Sequence, residues 1–346
     1  MAAALEEGLV TEDSTAVVPD HLRVSNHTFT DHDPHPTKRY SMTDIMATSS
    51  NVGTIQLGQQ LGKERIDQYL RKFGFGAKSG LDWPNESAGL MLDPDEWSGT
   101  SIGTVPIGQG VAVTAVQMLS AYNVLARHGE YIAPKLVKAS IDKDGVEHPT
   151  GPSEHHPVVS AQSADAVRDM MAAVVNSDAG TGSNAAIDGY TVAGKTGTAR
   201  KPQDTGTYRD AEGNFHYMAA FAGFVPAENP QLSAIVVLDE PTTSIFAAQA
   251  AAPVFSRVMS YALRLYRIPP PAVALALTPP STDAEGANEV PGGLTATDDG
   301  SAQQGPGAVP DSTPPGSTGG KGSTSGGKTT TSTKTTTTTQ PPGQSR

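Results

Sequence analysis

Thr191-Val192-Ala193-Gly194-Lys195-Thr196-Gly197-Thr198-Ala199-Arg200 begins as a buried strand and turns polar in its middle. Thr191, Val192 and Ala193 suit a strand interior, whereas glycine weakens one and marks close approach by a ligand or another backbone. Gly194 and Gly197 enclose Lys195 and Thr196. Lys195 brings a positive charge, Thr196 and Thr198 bring hydroxyl donors, and Gly197 lacks the side chain that would block approach. Together they form a platform for an anion, most simply a carboxylate. The plainer alternative is an exposed polar edge strand, and Lys-Thr-Gly alone does not separate the two. Arg200 fits both: it could assist the anion or solvate the strand end.

Downstream, Tyr217 to Val225 and Leu232 to Leu238 are apolar with little alternation, which predicts strands covered on both faces. Ala227-Glu-Asn-Pro230 between them is short enough to make them antiparallel neighbours. Phe246 to Tyr266 predicts a closing helix with Val254, Val258, Tyr261 and Leu265 packed inward. Upstream, Met1 to Glu7 is helical in composition and stops at Gly8. Thr11 to Lys38 predicts an irregular loop, in which His27, His32 and His35 match no metal-binding spacing. Ser41 to Asp44 predicts a capping box for a helix reaching Thr48, and Ser49-Ser50-Asn51 then leads into a second apolar segment through Ile55 and Leu57. Ile66, Tyr69, Leu70 and Phe73 share one helical face closed by Gly74. Thr114 and Gln117 predict a second capping box, Tyr131 to His148 a hairpin turning at Lys143-Asp-Gly145, and Ser163 the cap of a helix whose Val167, Met170, Met171 and Val174 form one face. The fold class is α+β: an antiparallel sheet flanked by helices, with an associated helical subdomain.

The 346 residues contain no cysteine, which excludes disulfides, thiolate metal sites and a cysteine nucleophile. A net charge of -12 argues against a nucleic-acid partner. There is no run of 18 apolar residues, and Met1 to Leu5 lacks a basic n-region and is too short for a signal peptide, so neither a membrane span nor a signal peptide is expected within this sequence. Composition breaks at Pro269-Pro-Pro271, beyond which Pro, Gly, Ser and Thr dominate. Residues 1–268 are therefore expected to form one domain and 269–346 a disordered tail.

Ser49-x-Asn51 between two helices and Lys195-Thr-Gly-Thr198 on a strand resemble the second and third motifs of the penicillin-binding and serine β-lactamase superfamily. Ile107-Gly-Gln-Gly-Val-Ala-Val-Thr114, Gln117 to Ala126 and Met218-Ala-Ala-Phe-Ala-Gly-Phe-Val-Pro226 are similar to class B penicillin-binding proteins, the division-type transpeptidases above all. The resemblance covers Met1 to about Ile268. It implies a D,D-transpeptidase that crosslinks peptidoglycan through a serine acyl-enzyme, without cofactor or metal, at the extracytoplasmic face of the membrane. Implied partners are stem peptides ending in D-alanyl-D-alanine, β-lactams and divisome proteins. It implies that Ser49 relays a proton, that Asn51 binds substrate backbone, and that Lys195, Thr196, Gly197 and Thr198 receive the terminal carboxylate, the Thr198 N–H forming half of an oxyanion hole.

The family's first motif, Ser-x-x-Lys, carries the nucleophile and base at a helix start. Its two matches here, Ser140-Ile-Asp-Lys143 and Ser325-Gly-Gly-Lys328, fall on the expected hairpin and in the expected tail, so both read as decoys. In the family the nucleophile helix runs into a stretch similar to Ala2 to Gly8, which places the nucleophile about two turns before Met1. The chain is accordingly expected to be a truncated product, or one whose start was assigned at an internal methionine, and to be inactive alone. Rival readings are a β-lactamase or D,D-carboxypeptidase of the same superfamily, and a non-catalytic module that binds β-lactams or muropeptides. A long insert between Asn51 and Lys195 stands against the first.

Overall fold

The computed structural model describes residues 1–81, 83–205 and 207–271. The chain opens with α1 (Ala2–Glu6), which ends at Gly8 with φ +66°. Four short strands follow: β1 (Thr15–Val18), β2 (His21–Val24), β3 (His27–Thr30) and β4 (Lys38–Ser41). β1 pairs antiparallel with β4, and β2 with β3 around Ser25 at φ +55°. The irregular loop expected over Thr11 to Lys38 is thus corrected to two small ladders. Each strand has four residues and only one that is buried (Val18, Val24, Phe29, Tyr40), too short a run for a period of two to stand out.

Helices α2 (Met42–Ala47), α3 (Asn51–Leu61) and α4 (Lys63–Lys72) come next. Ser41 and Asp44 form the expected capping box on α2, and Gly74 ends the α4 segment at φ +95°. The short α5 (Ser101–Thr104) leads to α6 (Ala115–Ala126), capped by Thr114 and Gln117 as the spacing requires.

The expected hairpin is narrower than Tyr131 to His148. Strand β6 (Ala139–Ile141) pairs with β7 (Glu147–Pro149), whereas β5 (Glu130–Ile132) pairs with the later β8 (His155–Pro157). Tyr131 is buried and stacks on His156 with ring centroids 4.9 Å apart, a contact that draws its strand away from the hairpin. Helix α7 (Ala161–Asn176) is capped by Ser160 and not by Ser163, which sits buried inside the first turn. Two serines three apart are equally good caps by sequence. The Glu6 carboxylate decides between them, accepting from Ser160 N at 2.8 Å and from both hydroxyls at 2.7 and 2.8 Å.

The organising sheet has three strands, β9 (Ala193–Arg200), β10 (Tyr217–Val225) and β11 (Leu232–Asp239), antiparallel in the order β11-β10-β9. Its alternating faces build two cores. Ala219, Phe221 and Val225 pack with Val192 against the closing helices α8 (Ala247–Ala250) and α9 (Ala252–Leu265). Ala193 and Phe224 pack on the opposite side with Ala126 of α6 and Val167 and Met171 of α7. β10 meets the expectation of a strand covered on both faces. β11 does not, because it is an outer strand with Val237 exposed.

The inward face expected of the closing helix is also corrected. Phe255, Met259 and Leu263 are buried, while Val254, Val258, Tyr261 and Leu265 are exposed. The sequence carries two apolar stripes one residue out of phase, and the Phe221 ring selects between them by meeting Phe255 at 4.8 Å between centroids.

Candidate functional site

Strand β9 lies at the sheet edge, so one side of its backbone is free of a partner strand. Lys195 is paired with Ala222, Thr196 with Phe221 and Thr198 with Ala219 on β10. The alternation puts Lys195 on the side of Ala193, toward α6 and α7, and puts Thr196 and Thr198 on the side of α8. The two glycines differ in cause. A Cβ on Gly194 would meet the buried Phe221 ring at 2.5 Å and the Ala222 carbonyl at 2.9 Å, so packing alone requires it. A Cβ on Gly197 would find only the Ala220 carbonyl at 3.8 Å. Nothing among the described residues crowds Gly197, which leaves open the side from which a ligand would approach.

Lys195 is half-buried, and its Nζ reaches Thr196 O and Oγ1, both at 3.3 Å. Among the described residues no carboxylate pairs with it, and burial pushes its ammonium down to about 8. A cation so placed favours a bound anion, whose charge would offset the lost hydration. Thr198 Oγ1 accepts from Ala247 N at 3.3 Å, which fixes the hydroxyl oxygen and leaves its proton free to donate. Thr196 Oγ1 is engaged with Thr181 Oγ1 at 3.1 Å. Arg200 lies over the Phe215 ring at 4.1 Å, with Arg209 at 3.8 Å from the same ring, so its planar group is already stacked.

Thr181 joins the two motifs. Its N–H donates to Ala47 O at 3.1 Å at the end of α2, two residues before Ser49, while its hydroxyl meets Thr196. Ser49 itself has φ +57°, between the C-cap of α2 at Thr48 and the N-cap of α3 at Ser50. The plain reading of this turn as a helix connector therefore belongs to Ser50, whose Oγ accepts from Gly53 N at 3.0 Å. Ser49 Oγ has no partner among the described residues, although its left-handed backbone costs about 1–2 kcal/mol. Asn51 Nδ2 donates to Thr30 O at 3.1 Å, leaving its carbonyl end for another donor. Ser49→Gly is expected to hold or slightly raise the melting temperature, because relief of that strain outweighs the roughly 0.5–1 kcal/mol entropy cost of glycine. A fall of several degrees in a thermal scan would show that the Ser49 side chain supports the fold.

Sequence reasoning missed Asp31 and Thr181. Asp31 is nearly buried behind the turn and accepts from Ser50 Oγ at 2.6 Å and Val52 N at 2.8 Å. Neither residue stands in a motif, and their roles arise only when distant segments meet. The histidines of the same region go separate ways: His27 packs on Phe29, His32 on Phe246, and His35 pairs with Asp31. Ser140 lies exposed on β6, and Lys143 pairs with Asp144 at the turn beyond it, so this Ser-x-x-Lys match opens no helix. The second match, at Ser325, lies outside the described residues, as does the expected tail beyond Pro271.

The antiparallel sheet between helical layers thus carries Lys-Thr-Gly on its edge strand and Ser-x-Asn on the adjoining helix connection. The penicillin binding protein transpeptidase domain matches residues 1–260, and the chain belongs to this family. It is 36% identical over 276 residues to the penicillin-binding protein PbpB of Mycolicibacterium smegmatis, covering 78% of this chain and 42% of that protein. It is 34% identical over 282 residues to the probable peptidoglycan D,D-transpeptidase PbpC of Pseudomonas aeruginosa, covering 79% and 47%. Among solved structures, penicillin binding protein 3 of Mycobacterium tuberculosis complexed with ampicillin aligns with a TM-score of 0.73 at 36% identity, over 78% of this chain and 61% of that one. The chain thus spans less than half the length of these curated relatives. No helix among the described residues is long and apolar enough to cross a membrane.

Proposed function

We propose that this chain supplies the carboxylate-recognising part of a serine D,D-transpeptidase that crosslinks peptidoglycan stem peptides in cell division, at the extracytoplasmic face of the membrane. The observation that carries the reading is the Lys195 ammonium, half-buried and without a counter-ion among the described residues, on the same open edge strand as the Thr198 hydroxyl. That arrangement fits the C-terminal carboxylate of a D-alanyl-D-alanine peptide, and equally the carboxylate of a β-lactam. In this reading Lys195 supplies the charge, Thr198 donates from its hydroxyl, and its N–H polarises the scissile carbonyl. Thr196 holds the Lys195 head in place, and Gly197 keeps the approach clear. The Ser49 hydroxyl, free and held in a strained turn, passes a proton to the leaving amine, and the Asn51 carbonyl receives a substrate N–H. A second reading, a binding module without catalysis, is favoured by the exposed position of Ser140, since the described site then contains no Ser-x-x-Lys.

Fluorescent penicillin separates the two. This chain alone is expected to take no covalent label. A fusion that places the preceding part of M. smegmatis PbpB before Met1 is expected to label at one serine of the fused part, in competition with ampicillin. A folded fusion that stays unlabelled would leave only the binding module. Labelling of the lone chain at Ser140 would overturn the assignment of that motif.

A further inference from the structure

The turn that carries Ser49 and Asn51 is held from behind by a single carboxylate. Asp31 Oδ1 accepts from Val52 N at 2.8 Å, and Oδ2 accepts from Ser50 Oγ at 2.6 Å. Oδ2 is also 3.0 Å from His35 Nε2, and both side chains are less than a tenth exposed. The other ring nitrogen, His35 Nδ1, lies 2.8 Å from the Pro36 carbonyl oxygen. A carboxylate and a carbonyl can only accept, so an imidazole that satisfies both carries a proton on each nitrogen. We propose that His35 is a positioning residue: as an imidazolium it locks the Asp31 carboxylate in the orientation that receives Ser50 and Val52, and so sets the Ser49-Ser50-Asn51 turn in a pH-dependent way.

The surroundings of His35 support the charged form. Its N–H to the Pro36 carbonyl and its pairing with Asp31 both raise the imidazole above its ordinary 6.5, while burial and Lys38 on β4 oppose them. Asp20, from the turn between β1 and β2, takes the His35 backbone N–H at 3.1 Å, and the Tyr40 ring meets the imidazole edge-on at 5.8 Å. Because the folded value is raised, the clamp is complete below 6.5 and is lost as pH rises through the folded value. Neutral histidine has one N–H for two acceptors. Whichever partner keeps it, the other faces a lone pair, and the Asp31 charge loses the buried cation that faces it. The consequence for catalysis rests on the transpeptidase reading, since only there do Ser49 and Asn51 touch substrate; the clamp itself does not depend on that reading.

Nuclear magnetic resonance of the full chain, deuterated and labelled at amide nitrogen and histidine Cε1, tests it without any acylation step. The His35 signal, assigned by its loss in His35→Gln, is expected to titrate above 6.5. The Val52 and Asn51 amide signals should move with the same midpoint. Val52 exchange, corrected for its intrinsic pH dependence, should accelerate about tenfold for each unit by which the histidine is raised. In His35→Gln both amides should stay flat across that range. His216, whose two ring nitrogens are also both engaged, by the Asp210 and Glu240 carboxylates, is the control: His216→Gln should change neither signal. Titration of His35 at or below 6.5, or amides that follow another midpoint, would overturn the proposal from the unmutated protein alone. Persistence of the amide titration in His35→Gln would do the same.

Discussion

Lys195→Ala is expected to leave the melting temperature unchanged while lowering the rate of β-lactam acylation roughly ten- to hundredfold in the PbpB fusion. A hydrogen bond to a charged group contributes about 1.5–3 kcal/mol, and each 1.4 kcal/mol is about tenfold in rate. Stability is spared for a separate reason. The Lys195 ammonium is depressed from 10.5 to about 8 by burial. The folded chain therefore holds this proton less tightly than the unfolded chain, and its stability rises with pH across that interval. Near neutral pH the charged side chain costs stability, so its removal costs none. The same value sets the pH dependence of recognition: anion capture should weaken as pH rises through about 8 in the parent fusion and stay flat in Lys195→Ala. Stopped-flow acylation at several pH values, beside thermal scans, measures both effects. Wild-type acylation by the alanine variant would remove the β9 strand from the reading altogether.

Phe221→Ala is expected to cost roughly 3–5 kcal/mol, the range for truncating a buried aromatic ring. Phe221 is fully buried, meets Phe255 with its ring tilted by 59° and lies where a Gly194 side chain would be. Against a typical domain stability of about 5–15 kcal/mol, that is a large share. The ring also supports β9 directly beneath Thr196, its register partner, so the loss should reach the anion platform as well as the melt. Denaturant titration of the parent, Phe221→Leu and Phe221→Ala should give a graded series. A loss below about 1 kcal/mol for alanine would mean that the core between sheet and closing helix is not centred on this ring.

Local chemistry was legible in the sequence where one segment suffices to satisfy it. The Ser41–Asp44 and Thr114–Gln117 capping boxes each close a hydrogen-bond cycle within four residues, and Gly74 meets a backbone demand at its own position. The antiparallel pair β10 and β11 follows from two apolar runs and a short link. What was not legible depends on a partner far along the chain. Glu6, more than 150 residues away, selects Ser160 over Ser163 as a cap. Phe221 selects which stripe of α9 turns inward. Asp31 is one acid among many until Ser50 and Val52 arrive above it. At the site, the lysine and hydroxyls could be named from their pattern, whereas Thr181, which connects Ala47 to Thr196, has no pattern to name.

The strand order has a colloidal consequence. A three-stranded sheet has two unpaired margins, and they are unlike. Along β9 the sequence is glycine-rich and cationic, a composition that discourages cross-chain ladders while admitting a short peptide. Along β11, Ser233-Ala-Ile-Val-Val-Leu238 offers β-branched residues, no charge and no proline before Asp239, with Val237 open to solvent. Such a segment is a template for intermolecular strand addition. The exposed Val254, Val258, Tyr261 and Leu265 add a second sticky surface on α9, the helix packed against β11. Where a further strand adds to this sheet, the composition of the two margins favours β11 and leaves the Lys195 margin free.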